Sequence, residues 1–269
     1  MTVRSIPKTL APVLEELELD QPRVVLLADL EGILGRLGEA DATDSAPDVA
    51  YELQRRGWLG RLRTQGAWEF YPASRAGAIG SGDRFIELRA FRRRDPAWPG
   101  ALAMESAASV LGLAQRLPDR EVLALPQDER PPAALSHWRL VRLTLPEAGM
   151  TVVDDLPTWN LEGLLAGIAL RPSGYRDLAG LGQWLVTATA HIDAGRLIAC
   201  LEDSPAAARQ RAAYLVEAAG RREMVEAILP KQPLRPAWFG DRRPGGRFDP
   251  VTMVNDTGLA PYLSGGAGA

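Results

Sequence analysis

The segment from residue 45 to 71 constrains this chain more than any other, because it reads as one short helix running into a hairpin. Ser45 is a good N-cap, Asp48 three residues later completes a capping box, and Pro47 fits the first turn. The helix is expected from about Ala46 to Arg56, with Val49 and Leu53 sharing a face and Gly57 as its stop. Two extended runs follow, Trp58–Arg63 and Ala67–Tyr71. Between them Thr64-Gln65-Gly66 puts a glycine where a tight turn needs positive φ.

Upstream, Leu10, Val13, Leu14 and Leu17 keep the spacing of a helix face, with Pro12 in its first turn. Gln21-Pro22 punctuates, and Val24 to Leu37 reads as a second helix with Leu27, Leu30, Ile33, Leu34 and Leu37 in phase. Asp29 and Glu31 suit the positive end of its dipole and Gly38 suits its stop. The polar stretch 38–46 is long for a tight helix-turn-helix. Helices followed by a small hairpin outline a winged helix-turn-helix, here residues 1–75.

The small, glycine-rich run 73–82 is the expected boundary to a mixed α/β domain over 83–230. In that domain helices are expected at Ala101–Leu111, Leu161–Ala169, Tyr175–Thr187, Ile192–Leu201, Pro205–Ala219 and Arg222–Leu229. Strands are expected at Glu121–Leu125, Trp138–Leu145 and Thr151–Val153. Residues 231–269 read as a basic, Pro/Gly-rich tail, partly disordered. The fold class is therefore mixed α+β, a winged unit followed by a larger domain with a helical C-terminal half. With no apolar stretch ahead of a cleavage site and no run of 18 apolar residues, neither a signal peptide nor a membrane span is expected, and a cytoplasmic location is.

The net charge of -3 argues against a nucleic-acid binder unless positive charge is concentrated. It is: residues 55–94 hold ten arginines against three acidic residues, a net charge of +7, and Lys231–Arg247 carries a net +4. The candidate DNA-contacting residues are Ser45, Tyr51, Gln54, Arg55 and Arg56 on the helix and Arg61 and Arg63 on the hairpin. Tyr51, Gln54 and Arg55 suit base edges, while Arg61 and Arg63 suit backbone phosphates. Leu53, Trp58 and Phe70 suit the core. Asp48 and Glu52 would repel phosphate unless they accept from cytosine or pair with an arginine. Arg92, Arg93 and Arg94 either extend the DNA surface or dock an acidic partner.

No constellation of a hydrolase, transferase or metalloenzyme is present. The chain lacks His-x-x-x-His, Gly-x-Ser-x-Gly, a P-loop and a dinucleotide fingerprint. The glycines at 77, 80 and 82 lack a flanking strand and helix and read as linker. Asp154-Asp155 lacks a third carboxylate on a neighbouring strand and reads as a cap or loop. His137 and His191 lie 54 positions apart, and the single Cys200 sits in an apolar run. A non-enzymatic protein without cofactor or metal is expected.

Two regions resemble the antitoxins of abortive-infection (AbiEi-like) type IV toxin–antitoxin systems. Leu53–Ala73 resembles the latter half of their winged domain, through Arg55, Arg56, Gly57, Trp58, Leu59, Arg61, Arg63, Gly66, Trp68 and Phe70. Glu105–Leu113 is similar to the helix that opens their second domain. Ala206–Gly220 is similar to a late helix, through Arg211, Tyr214, Leu215 and Gly220. The resemblance implies a repressor that binds inverted repeats in its own promoter, and a second domain that neutralises a nucleotidyltransferase-like toxin. A stand-alone transcriptional regulator, or a winged module that docks protein without reading DNA, remains open beside it.

Overall fold

The computed structural model describes residues 10–38, 45–75, 80–188 and 191–263. They form two compact units, Met1–Trp98 with Pro131–His137, and Pro99–Arg130 with Trp138–Ala269.

The first unit follows the order α1 (Ala11–Asp20), β1 (Val24–Leu26), α2 (Leu27–Leu37), α3 (Ala46–Arg55), β2 (Leu59–Arg61), β3 (Ala67–Phe70) and α4 (Ile86–Arg94). The strands form one sheet in the order β1-β3-β2, antiparallel throughout. This is a winged helix-turn-helix. Val24-Val25-Leu26, read from sequence as the start of a helix, is instead the third strand of the wing sheet. Its apolar run matches both periods, and the free edge of β3 decides for the strand. Asp29 then fixes where the helix starts, its carboxylate accepting from the Leu26 N–H at 2.7 Å. Gly38, Gly57 and Gly66 all take positive φ (68°, 76° and 68°), as their places at helix ends and in the hairpin turn require.

Each face of this sheet has its own cover. Val25, Leu59 and Phe70 point to one side and pack with Leu14 and Leu17 of α1, Leu30 and Ile33 of α2, and Val49 and Leu53 of α3. Val24 and Ala67, alternating with them, point to the other side and pack with Ala90 of α4. Helix α4 is thus built into the winged unit, on the sheet face opposite α3. The glycine-rich run 73–82 lies between them in sequence, and its residues 76–79 fall outside the described ones.

The second unit contains β4 (Ala101–Leu102), α5 (Met104–Val110), β5 (Val122–Leu125), β6 (Arg139–Arg142), β7 (Met150–Val153), β8 (Leu156–Trp159), α6 (Leu161–Leu170), α7 (Leu178–Ala188), α8 (Ala194–Cys200), α9 (Ala206–Ala218) and α10 (Val225–Ile228). A sheet in the order β6-β5-β4-β8-β7 packs against this largely helical half. Ala101–Leu102, expected in the helix that follows, is a strand between β5 and β8. Helix α6 is buried almost throughout. It fits because Gly163 and Gly167 let it close on its neighbours: a Cβ at Gly163 would lie 2.0 Å from the Gly149 carbonyl oxygen. Residues 237–263, tail-like in composition, form β9 (Ala237–Phe239), β10 (Arg247–Asp249) and β11 (Val254–Asp256) in a second sheet. Ala237, Phe239, Val254 and Leu259 join the core of this unit. The order comes from Asp256, fully buried, which accepts from Tyr214 Oη at 2.6 Å and from the N–H groups of Gly258 and Leu259.

Candidate nucleic-acid interface

Helix α3 buries Ala46, Val49, Ala50 and Leu53 and turns Pro47, Asp48, Tyr51, Gln54 and Arg55 outward. Positions 47, 48, 51, 54 and 55 keep helical spacing, so they form one exposed stripe. Tyr51 is 64% exposed, a large aromatic surface for a side chain with no role in the core.

The two acidic residues of this helix are both engaged. Asp48 closes the N-terminus, accepting from the Ser45 N–H at 3.2 Å and its Oγ–H at 2.6 Å. This makes Ser45 a capping residue first. Glu52 accepts from Arg55 at 3.0 and 3.1 Å and from Arg56 at 3.2 Å. The bonded Arg55 guanidinium, chief among several causes, holds the Glu52 carboxyl below the usual range. Carboxylates that would repel phosphate therefore serve to cap the helix and to orient two arginines at its end.

The wing continues this surface. Arg61 stands directly opposite Trp68 in the β2–β3 register, and residues facing each other across an antiparallel pair share a side of the sheet. That side carries α3. Arg61 is exposed and makes no ion pair among the described residues. Trp68 Nε1 donates to Gln54 Oε1 at 3.1 Å, which ties α3 to the wing. Gly60, beside Arg61, leaves room for the Tyr71 side chain, since a Cβ there would lie 2.0 Å from the Tyr71 hydroxyl oxygen and displace it. Burial, with Glu69 close by, pushes the Tyr71 phenol up to about 12, so it stays a neutral donor to Glu69 at neutral pH.

The wing turn is braced from α4. Glu87 accepts from the Arg63 N–H at 2.6 Å, the Thr64 N–H at 3.1 Å and Thr64 Oγ at 3.0 Å. Thr64 is only 4% exposed despite sitting in a turn. The Arg63 guanidinium lies 3.4 Å from His137 Nδ1. Glu87 and Trp68 are the two positioning residues that sequence reasoning passes over. Glu87 is 23 residues from Thr64, and no local pattern joins them.

The three arginines that end α4 are placed differently. Arg92 donates to the Trp98 carbonyl, and Arg93 to the Val24 carbonyl and, at 2.9 Å, to Asp29. Arg94 reaches the Gln65 carbonyl at 3.4 Å, at the wing turn. The structure therefore brings Ser45, Tyr51, Gln54, Arg55 and Arg61 to one surface, with Arg56 paired beside them. It commits Arg92 to the Trp98 carbonyl and Arg93 to β1 and α2.

Elsewhere the chemistry is sparse. Asp154 and Asp155 both take positive φ (49° and 63°) and form the two-residue turn of the β7–β8 hairpin. Burial pushes the Cys200 thiol up to about 11, with Glu162 adding to it. Among the described residues no group of three or more His, Cys, Asp or Glu side chains is placed to hold a metal ion. No helix among them is long and apolar enough to cross a membrane.

Against known proteins, residues 100–218 match the family model of the AbiEi antitoxin C-terminal domain. The whole chain is similar to the crystal structure of the RV2827C protein from Mycobacterium tuberculosis. The TM-score is 0.80 at 29% identity, over 97% of this chain and 96% of that one. No curated protein sequence matches.

Proposed function

We propose, from the match of residues 100–218 to the AbiEi antitoxin C-terminal domain, that the winged unit binds operator DNA and represses the operon encoding it. The observation that carries this is one continuous surface. Tyr51, Gln54 and Arg55 on the outer stripe of α3 lie beside Arg61 on the wing, with both acidic residues of the helix neutralised by cap and ion pair. In this reading α3 enters the major groove, and Tyr51, Gln54 and Arg55 reach base edges. Arg61 and Arg63 hold flanking phosphates and set register without reading sequence. The net charge of -3 is no obstacle, because steering depends on the local field where arginines gather at the end of α3 and on the wing rather than on total charge. The second part of the proposal assigns to residues 100–218 the neutralisation of a nucleotidyltransferase-like toxin.

Binding of the full chain to its own upstream duplex, against a scrambled duplex of equal length across a salt series, tests the first part. Specific binding that weakens with salt is expected. An Arg61→Ala/Arg63→Ala double variant should bind more weakly, with a log–log salt slope shallower by about 0.9 per phosphate contact removed. Equal binding to both duplexes, indifferent to that variant, would overturn it and favour a protein-docking wing. For the second part, co-expression of the full chain with an adjacent nucleotidyltransferase-like reading frame should restore growth that the frame alone arrests.

A further inference from the structure

The contact between Gln54 and Trp68 limits what α3 is able to read. An indole N–H is a donor with no acceptor capacity. The Gln54 amide must therefore turn its oxygen to Trp68, and the usual ambiguity between amide oxygen and nitrogen is removed by chemistry. The Nε2 amino group, with two donors, is what remains to face outward. Gln54 is exposed and lies on the same stripe as Tyr51 and Arg55.

We infer that Trp68 positions Gln54 with its amino donors outward, which selects guanine over adenine at the base edge it meets. This rests on the proposed binding of DNA through α3. A glutamine with a free amide recognises adenine by two bonds, its nitrogen donating to N7 and its oxygen accepting from N6. Here the carbonyl is directed at the indole N–H, which takes one of its two lone pairs and leaves Nε2, not the oxygen, turned to the outside. Against adenine, the Nε2 donors would meet the N6 amino group, donor against donor. Guanine offers two acceptors, N7 and O6, to the same amino group. Trp68 touches no base in this arrangement. It acts through Gln54, and it does so from the wing, so the inclination of the wing strand and the base preference of the helix are coupled.

Both groups are at the surface, and one hydrogen bond there contributes modestly, so the effect is a bias. Freeing the Gln54 oxygen should change guanine-over-adenine selectivity by about five-fold, the worth of one such bond.

The test is a base scan of the upstream duplex, exchanging each base pair in turn for the other three, with the full chain and three variants. In the unaltered chain one exchange should weaken binding in a way that disappears in Gln54→Ala, which marks the base that Gln54 meets. At that base Trp68→Phe, which keeps a ring on β3 and removes the donor, should lose about five-fold of the preference for guanine. Gln54→Glu keeps an acceptor for Trp68 and presents an acceptor outward. It should move the preference at the same position to cytosine, whose N4 amino group donates. A preference for adenine at the marked base, or identical base profiles for the unaltered chain and Trp68→Phe, overturns the inference while the DNA-binding reading stands. A Trp68→Phe chain that does not fold leaves Gln54→Glu to decide, and an unchanged preference there also overturns it. Absence of specific binding by the unaltered chain overturns both.

Discussion

Helices α3 and α4 are alike in sequence and opposite in use. Each ends in arginines, and they cover opposite faces of one three-stranded sheet. On α3, Arg55 is held by Glu52 of its own helix and stays at the surface. On α4 the guanidiniums are committed to the protein's own groups, Arg89 to Asp83, Arg92 to the Trp98 carbonyl and Arg93 to Val24 and Asp29. A guanidinium carries five donors in a fixed fork. It is as well suited to saturating carbonyl groups at the ends of strands and helices as to gripping phosphate. The net charge of +7 over residues 55–94 therefore mixes two populations, and only their partners tell them apart.

The sharpest way to break this division is Arg89→Ala. The Arg89 side chain is 9% exposed and that of Asp83 17%, with Nε 2.6 Å from the carboxylate. Removing the cation leaves the half-buried Asp83 carboxylate ahead of α4 without its ion-pair partner, holding the bond from the Phe85 N–H. A loss of about 3 kcal/mol is expected, read as a lower urea midpoint for the winged unit. Arg55→Ala should change stability by no more than about 0.5 kcal/mol, as surface substitutions do. If the two variants unfold alike, α4 is not the brace described.

Glu87→Ala comes next. It strips one acceptor from three donors at the wing turn, two of them on the buried Thr64, at a cost of about 2 kcal/mol. Because the turn is then held less firmly, operator binding should weaken as well, although Glu87 itself touches no DNA. Stability measured by urea and affinity measured on the upstream duplex should fall together in this variant, whereas Arg61→Ala should lower affinity alone.

The contrast also shows what the sequence was able to say. Helix α3, its cap at Ser45 and Asp48, the stop at Gly57 and the turn at Gly66 were legible, because each depends on neighbours within a few residues. Strand β1 was not, since an apolar Val-Val-Leu fits a helix as well as an edge until β3 offers a partner. Strand β8 was missed for a related reason: Pro157 hides a strand whose hairpin is announced only by the aspartates before it. The 237–263 region looked like a tail because arginine, proline and glycine dominate it, and the buried Asp256 that orders it pairs with a tyrosine 42 residues away. Among the site residues, the stripe on α3 followed from helical periodicity. The commitment of Arg93 did not, because Val24 and Asp29 lie more than sixty residues upstream, and that of Arg92 to the Trp98 carbonyl follows no helical period.

The smallest expected effect discriminates best. Arg93→Ala removes an ion pair whose side chains are 44% and 31% exposed, together with the bond to the Val24 carbonyl. Solvent screens the pair, so the loss of stability should be about 1 kcal/mol or less. At a temperature where the variant is fully folded, its salt slope on the upstream duplex should equal that of the unaltered chain. Arg61→Ala should do the reverse, leaving stability unchanged and making the slope shallower by about 0.9. A shallower slope for Arg93→Ala would mean that the back of the sheet also releases counterions on binding. The DNA would then touch both faces of the winged unit, and the separation between an arginine that builds the fold and one that faces the ligand would fail at the residue where it is drawn most finely.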